Sequence, residues 1–225
     1  MSVFQDLLDL VLPTKCALCL AQGSPVCACC YQQLVFDPRE FDRAGIIGLA
    51  ASEYGPKERQ LLKSFKEQGQ TSLARFIAEP MVPLFLEALA GFECPVLVPM
   101  PSSKENFISR GFKPAKVLAN RVRRDADQIR PSRDTGRKVE ISEALRFNRV
   151  VADQSHLDYK GRMENLRGSM TSKASLEGRH VWLFDDVVTT GSTLIEGARA
   201  IREVGGEVVG ILVFAETILK TQTKS

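Results

Sequence analysis

Apolar and polar positions alternate between strand-like and helix-like patterns along the chain. Val181-Trp182-Leu183-Phe184 is an unbroken apolar run, as expected of a strand buried on both faces of a parallel sheet. Asp185 and Asp186 stand where that strand should end. After a short polar turn, Leu194, Ile195, Ala198 and Ile201 recur at helical spacing, and Gly205-Gly206 stops the helix. A second buried-type strand over 208–214 completes a strand–loop–helix–strand unit.

Upstream, 46–51 reads as a strand running into Tyr54-Gly55-Pro56. Leu61, Leu62 and Phe65 predict a short helix, with Lys63 and Lys66 on a solvated face. A longer helix spans 73–89, where Pro80 and Pro83 must kink it or split it. Residues 95–98 form a short strand, and Ala115, Leu118, Ala119 and Val122 mark another helix. The stretch 37–45 is polar and turn-rich, which predicts a boundary between a module over 1–44 and a domain over 45–225.

The turn after Asp185-Asp186 carries the most chemistry. Thr189-Thr190-Gly191-Ser192-Thr193 precedes a helix, whose first backbone N–H groups and partial positive charge suit a phosphate. Gly191 permits close backbone approach, and the four hydroxyls add donors. Adjacent carboxylates would repel a phosphate, so Asp185 and Asp186 suit a vicinal diol instead, held directly or through magnesium. Together these features describe a sugar-phosphate site. A plain helix cap would need one hydroxyl rather than this array.

Two further stretches are weaker signals. Pro99-Met100-Pro101-Ser102-Ser103-Lys104 is a small-residue loop after a strand, followed by Arg110-Gly111-Phe112-Lys113; it suits a second phosphate cradle or an ordinary strand–loop–helix. In Arg149…Gln154…Leu157…Arg162…Asn165, helix spacing puts Asp158, Arg162 and Asn165 on one face, as a lid over pyrophosphate or as a surface helix. Between them, Arg121, Arg123, Arg124, Arg130, Arg133, Arg137, Lys138, Arg146 and Arg149 form a basic region, and 125–138 reads as an exposed loop. It is either a solvated surface or a seat for nucleic-acid phosphates, although only Phe147 supplies aromatic interleaving.

Cys16-x2-Cys19 and Cys27-x2-Cys30 have the spacing of a tetrahedral zinc ribbon, in which four thiolates fill the shell and the metal is structural. Cys29 can replace Cys27 or Cys30, and Cys94 stands apart. A disulfide framework is the competing reading. The amino terminus is amphipathic (Phe4, Leu7, Leu8, Val11) but acidic at Asp6 and Asp9, unlike a secretory signal, which favours zinc and a cytoplasmic setting. The chain's 225 residues allow one large domain plus a small module. A net charge of +3 excludes nothing, and no apolar run approaches the ~20 residues of a membrane span.

Val181–Thr193 resembles the phosphoribosyl pyrophosphate (PRPP) motif of type I phosphoribosyltransferases. The cysteine pairs, L-L-K-S-F-K, V-P-M-P-S-S-K with R-G-F-K-P-A, the R…Q…L…R…N stretch and D-D-V-V-T-T-G-S-T, taken in order, are similar to the ComF family over nearly the whole chain. Lys113 and Pro114 depart from the asparagine and glutamine usual after R-G-F.

The resemblance implies an α/β fold, a type I phosphoribosyltransferase-like parallel sheet flanked by helices, preceded by a small four-cysteine zinc ribbon. It implies that Asp185 and Asp186 bind the ribose diol and magnesium-PRPP, within a binding stretch that also includes Val187 and Val188. Thr189, Thr190, Gly191, Ser192 and Thr193 would take the 5′-phosphate, Ser102, Ser103 and Lys104 the pyrophosphate, and Arg162 would neutralise the leaving group. Cys16, Cys19, Cys27 and Cys30 would hold zinc. Expected partners are PRPP, single-stranded DNA and DNA-uptake machinery such as a helicase, in natural transformation. Three roles follow: a PRPP-binding accessory factor in DNA uptake or processing, an active phosphoribosyltransferase on an unidentified acceptor, or an interaction protein with a vestigial pocket.

Overall fold

The computed structural model describes residues 14–88, 90–92, 95–129, 139–149, 161 and 165–218. Its first half runs α1 (Ala28–Gln32), β1 (Arg39–Arg43), β2 (Ile46–Glu53), α2 (Pro56–Glu67), a 3-10 turn (Thr71–Leu73), α3 (Ala74–Ala78), α4 (Met81–Ala88) and β3 (Val96–Pro99). The second half runs α5 (Lys104–Arg110), α6 (Pro114–Ile129), β4 (Glu140–Ile141), β5 (Leu145–Phe147), β6 (Met170–Ser172), β7 (His180–Val188), α7 (Ser192–Arg202) and β8 (Glu207–Glu216). Six strands form one sheet in the order β1-β2-β8-β7-β3-β4, and β5 pairs with β6 separately. Every neighbour in the large sheet is parallel except β1 against β2.

The apolar runs explain the layering. Alternate residues of a strand point to opposite faces. Trp182 and Phe184 of β7, with Leu212 and Phe214 of β8, therefore enter one core with α2, α3, α4 and α6. Val181 and Leu183, with Ile211 and Val213, enter a second core with Leu194, Ala198 and Ile201 of α7 and with Leu145 and Met170 of the small pair. Phe184 and Phe214 are fully buried; each contributes roughly 1.5–3 kcal/mol by burial. The α/β architecture with a parallel sheet covered on both faces is the one the sequence predicts.

Several boundaries differ from expectation. The stretch 37–45 holds an edge strand, because Phe41 and Arg43 alternate inward and Ala44-Gly45, both at positive φ, turn the chain back onto β2. Asp42 Oδ1 caps that turn by accepting from Gly45 N at 2.9 Å. The predicted 73–89 helix is split into α3 and α4 around Pro80, while Pro83 is tolerated in the first turn of α4. Residues 125–129, expected as loop, complete α6, where Ala126 is buried. The strand expected to end at Asp185 continues to Val188, its Asp185 and Val187 still in register with Val213 and Ala215. The amphipathic start, Cys94, Arg130, Arg133, Arg137, Lys138, Gln154, Leu157, Asp158 and Arg162 lie outside the described residues. Among the described residues, no helix is long and apolar enough to cross a membrane.

Candidate functional site

The carboxyl end of β3 lies beside Phe184 of β7, with Met100 N donating to Phe184 O at 2.8 Å. This contact sets the loop after β3 against the aspartates, at the edge where parallel α/β sheets receive ligands. The cleft between them, about 350 Å³, is lined by Ser102, Ser103, Asn106, Asp185, Asp186, Thr193, Lys66 and Arg110. Sequence distance is large, but the sheet order makes the meeting obligatory.

Asp186 is buried, and Lys66 Nζ lies 2.6 Å from its Oδ2. Burial alone would favour a neutral amine, but the charges of Asp186 and Asp185 outweigh it and hold Lys66 above its ordinary pKa. The Asp185 carboxyl is pushed up to about 8, first by burial and then by the Asp186 charge, with Lys66 opposing both. Its Oδ1 accepts from the Asp186 backbone N–H at 2.9 Å. The pair thus holds one firmly balanced charge and one proton that an arriving cation can displace. Hard carboxylate oxygens of this kind suit magnesium.

Behind the aspartates the chain turns into α7. Gly191 caps the helix in the left-handed region at φ 81°, and a Cβ there would lie 2.9 Å from Arg43 Cγ. Arg43, reaching in from β1, donates from Nε to Thr189 O at 3.2 Å and from Nη2 to Glu216 Oε2 at 2.8 Å. It is 7% exposed, so its guanidinium fixes the turn from beneath. Thr190 Oγ1 and Ser192 Oγ lie 2.9 Å apart, which ties two of the turn's hydroxyls together. Val187 and Val188 point their side chains into the two cores and offer only backbone.

The predicted residues therefore divide. Asp185, Asp186, Ser102, Ser103 and Thr193 share the cleft, whereas Lys104 faces a neighbouring one. Ser103 also caps α5, accepting from Asn106 N at 3.2 Å. Arg162 falls outside the described residues. Lys66 and Arg43 were not among the sequence candidates, and Arg110 entered only with the stretch that follows the loop after β3. For Lys66 the signal was present in L-L-K-S-F-K: Lys63 is exposed, but Lys66 follows the buried Phe65 on the half-buried flank of α2.

In the amino-terminal module, the Sγ atoms of Cys16, Cys19, Cys27 and Cys30 all lie within 4.8 Å of one another. A tetrahedral Zn–S₄ centre requires sulfurs about 3.8 Å apart, so the set fits. Cys29 is exposed, accepts from Gln33 Nε2, and lies outside this four-sulfur cluster. The described cysteines are free thiols rather than disulfides. Burial opposes ionisation of Cys16, yet N–H groups of Cys27, Cys19 and Leu18 outweigh it and bring the thiol to about 6. The module is fastened to α2 by Gln60 Nε2, which donates to Ala17 O at 2.7 Å, and by Lys57 Nζ, which donates to Gln33 O at 2.6 Å.

The model of the phosphoribosyl transferase domain family matches residues 109–224, just over half of the chain. The chain belongs to the phosphoribosyl transferase domain family. The match takes in both aspartates and the turn, while Lys66, Ser102 and the cysteine module precede it. Over 93% of this chain and 86% of the relative, it is 26% identical to DNA utilization protein YhgH of Escherichia coli (strain K12). Over 68% of the chain and 56% of the relative, it is 28% identical to competence protein ComFC of Bacillus subtilis (strain 168). A shorter stretch of 43 residues, 19% of this chain and 22% of the relative, is 51% identical to orotate phosphoribosyltransferase of Pyrobaculum calidifontis. A four-cysteine cluster ahead of a phosphoribosyl transferase domain is the organisation expected of the ComF family.

Proposed function

We propose that this phosphoribosyl transferase domain protein binds magnesium-PRPP in the carboxylate cleft and serves DNA uptake or processing. One observation carries the reading: adjacent carboxylates near the carboxyl end of β7, a hydroxyl-bearing loop and Thr193 at the start of α7 all border one cleft. Asp185 and Asp186 would take the ribose diol, directly or through magnesium. Thr189 to Thr193 would take the 5′-phosphate on the N-terminal N–H groups of α7. Ser102 and Ser103 would face the pyrophosphate, with Arg162 neutralising it. Lys66 holds the Asp186 side chain in place through its 2.6 Å ion pair. Magnesium, when bound, supplies charge neutralisation for the pyrophosphate.

The chemistry open to such a site is displacement of pyrophosphate from the anomeric carbon by a nucleophile. It depends on positioning and electrostatic stabilisation, both of which these residues provide. The relatives' names, DNA utilization protein and competence protein, support a role in DNA uptake or processing; single-stranded DNA, a helicase partner and a cytoplasmic setting are the finer form of this reading. Zinc in the cysteine module would be structural.

Calorimetric titration of magnesium-PRPP into zinc-loaded protein tests this reading. We expect binding in the wild type and a loss of at least about a hundredfold in the Asp185→Asn/Asp186→Asn variant, with the fold retained. Equal affinity in the two proteins would overturn the assignment.

A further inference from the structure

Beyond the loop 100–103 lies a second cleft of about 560 Å³, a size that accommodates a small organic ligand. Met100, Pro101, Ser102, Ser103 and Phe147 line both clefts and form their shared wall. The two differ sharply in charge. The first sets Lys66 and Arg110 against Asp185 and Asp186. The second collects Lys104, Lys113, Lys116, Arg146, Arg149 and Lys173 against only Glu105 and Glu143.

Glu143 serves as a brace. Lys113 Nζ lies 2.6 Å from its Oε2, and Lys116 pairs with its Oε1, so two ammonium groups are held side by side. Arg149 is fixed at the opposite rim by donating to Asn165 O at 2.7 Å. Arg146 and Lys173, on the adjacent strand pair, add exposed cations. A convergent set of this sign demands an anion, and its lysines and arginines suit phosphate. Phe107, 44% exposed, and Phe147 supply flat apolar faces in the same cleft, on which a heteroaromatic base can stack.

We propose that this cleft is a nucleotide site, seating a phosphate among the cations and a base against the phenylalanines, beside the ligand of the carboxylate cleft. The proposal rests on the PRPP reading only for the identity of that neighbour. The nucleotide is either free or the end of a single strand, and the two sources share this chemistry.

The test titrates thymidine 5′-monophosphate into the full zinc-loaded chain, with and without saturating magnesium-PRPP. The expected result is binding in both cases, weakened about tenfold or more by Arg146→Glu/Lys173→Glu while magnesium-PRPP affinity is unchanged. Phe107→Ala should weaken the nucleotide several-fold and leave inorganic phosphate unaffected. Arg146→Gln/Lys173→Gln gives the same test should the reversal disturb folding.

Failure of the monophosphate to bind, equal binding of unphosphorylated thymidine, or indifference to both double variants would each overturn the site. Nucleotide binding without PRPP binding would instead sink only the earlier reading. A 5′-phosphorylated thymidine pentamer that binds more tightly, with steep salt dependence, upholds the site and makes a strand end its source; affinity equal to the monomer's upholds it with a free nucleotide.

Discussion

In the cysteine module, four thiols converge within 4.8 Å on the strength of local chain geometry. In the carboxylate cleft, two aspartates from β7 converge with Lys66 from α2, 2.6 Å from Asp186. Both places concentrate acidic groups, but among the described residues only the cleft carries its own cation at bonding distance. Cys30 shows what this means for the module: the neighbouring Cys19 thiol and burial both push its pKa up, so the set resists joint ionisation until a metal arrives. The cleft, with Lys66 in place, is compatible with the folded protein before any ligand binds. On the proposed reading the two regions would depend on metal differently, the module for its structure and the cleft for its ligand.

Metal removal should therefore produce the largest effect, and only through the module. Ala17, Val26 and Leu34 of that segment belong to the main core, so its collapse uncovers α2. A strong zinc chelator should lower the melting temperature by about 10 °C or more, given the free energy usual for structural zinc and the size of the chain. Added magnesium should not restore it. A melting curve unaltered after metal analysis confirms zinc loss would erase the distinction between the regions.

A smaller but sharper effect is expected at Lys66. Replacing it with methionine leaves Asp186, 2% exposed, without its ion-pair partner. Breaking a pair of this burial costs about 3 kcal/mol, measured by urea unfolding. Adding Asp186→Asn should recover most of that loss, because the orphaned charge is then gone. Chelated protein admits no comparable rescue by a second substitution. Strict additivity of the two changes would show that the ion pair contributes nothing to the fold.

This difference also governs what was legible beforehand. Cysteine spacing is a local property, and Asp185 to Thr193 is one continuous stretch, so both were readable along the chain. The apolar runs of β7 and β8 likewise announced a doubly covered sheet. Lys66 and Arg43 depend on tertiary register. Helix periodicity predicts a solvated face for Lys66, whereas the side chain is half-buried and pairs with Asp186, because β7 presents that aspartate to α2. Arg43 meets Thr189 O across 146 residues only because β1 folds back on β2 and β2 pairs with β8. The end of β7 was misplaced for a different reason. Charged residues look like a terminus, yet the buried Val188 and the continuing ladder with β8 carry the strand past them.

The subtlest consequence concerns pH. The Asp185 carboxyl, ordinarily near 3.8, is pushed up to about 8, by burial first and by the Asp186 charge second. Between about pH 4 and 8 the folded protein holds a proton that the unfolded chain has released. In metal-free cleft, stability conferred by that proton is present at the acidic end and falls as pH rises through the window. Asp185→Asn, neutral throughout, should show a flatter profile, and urea unfolding of both proteins at a series of pH values isolates the difference. Ligand binding reverses the sign. If magnesium-PRPP binds as proposed, it takes the ionised carboxylate, so its affinity should rise toward about pH 8, with proton release visible as heats that vary with buffer ionisation enthalpy. Matching pH profiles in wild type and variant would mean that Lys66 already neutralises both aspartates, and the cleft would then have no displaceable proton to exchange for a metal ion.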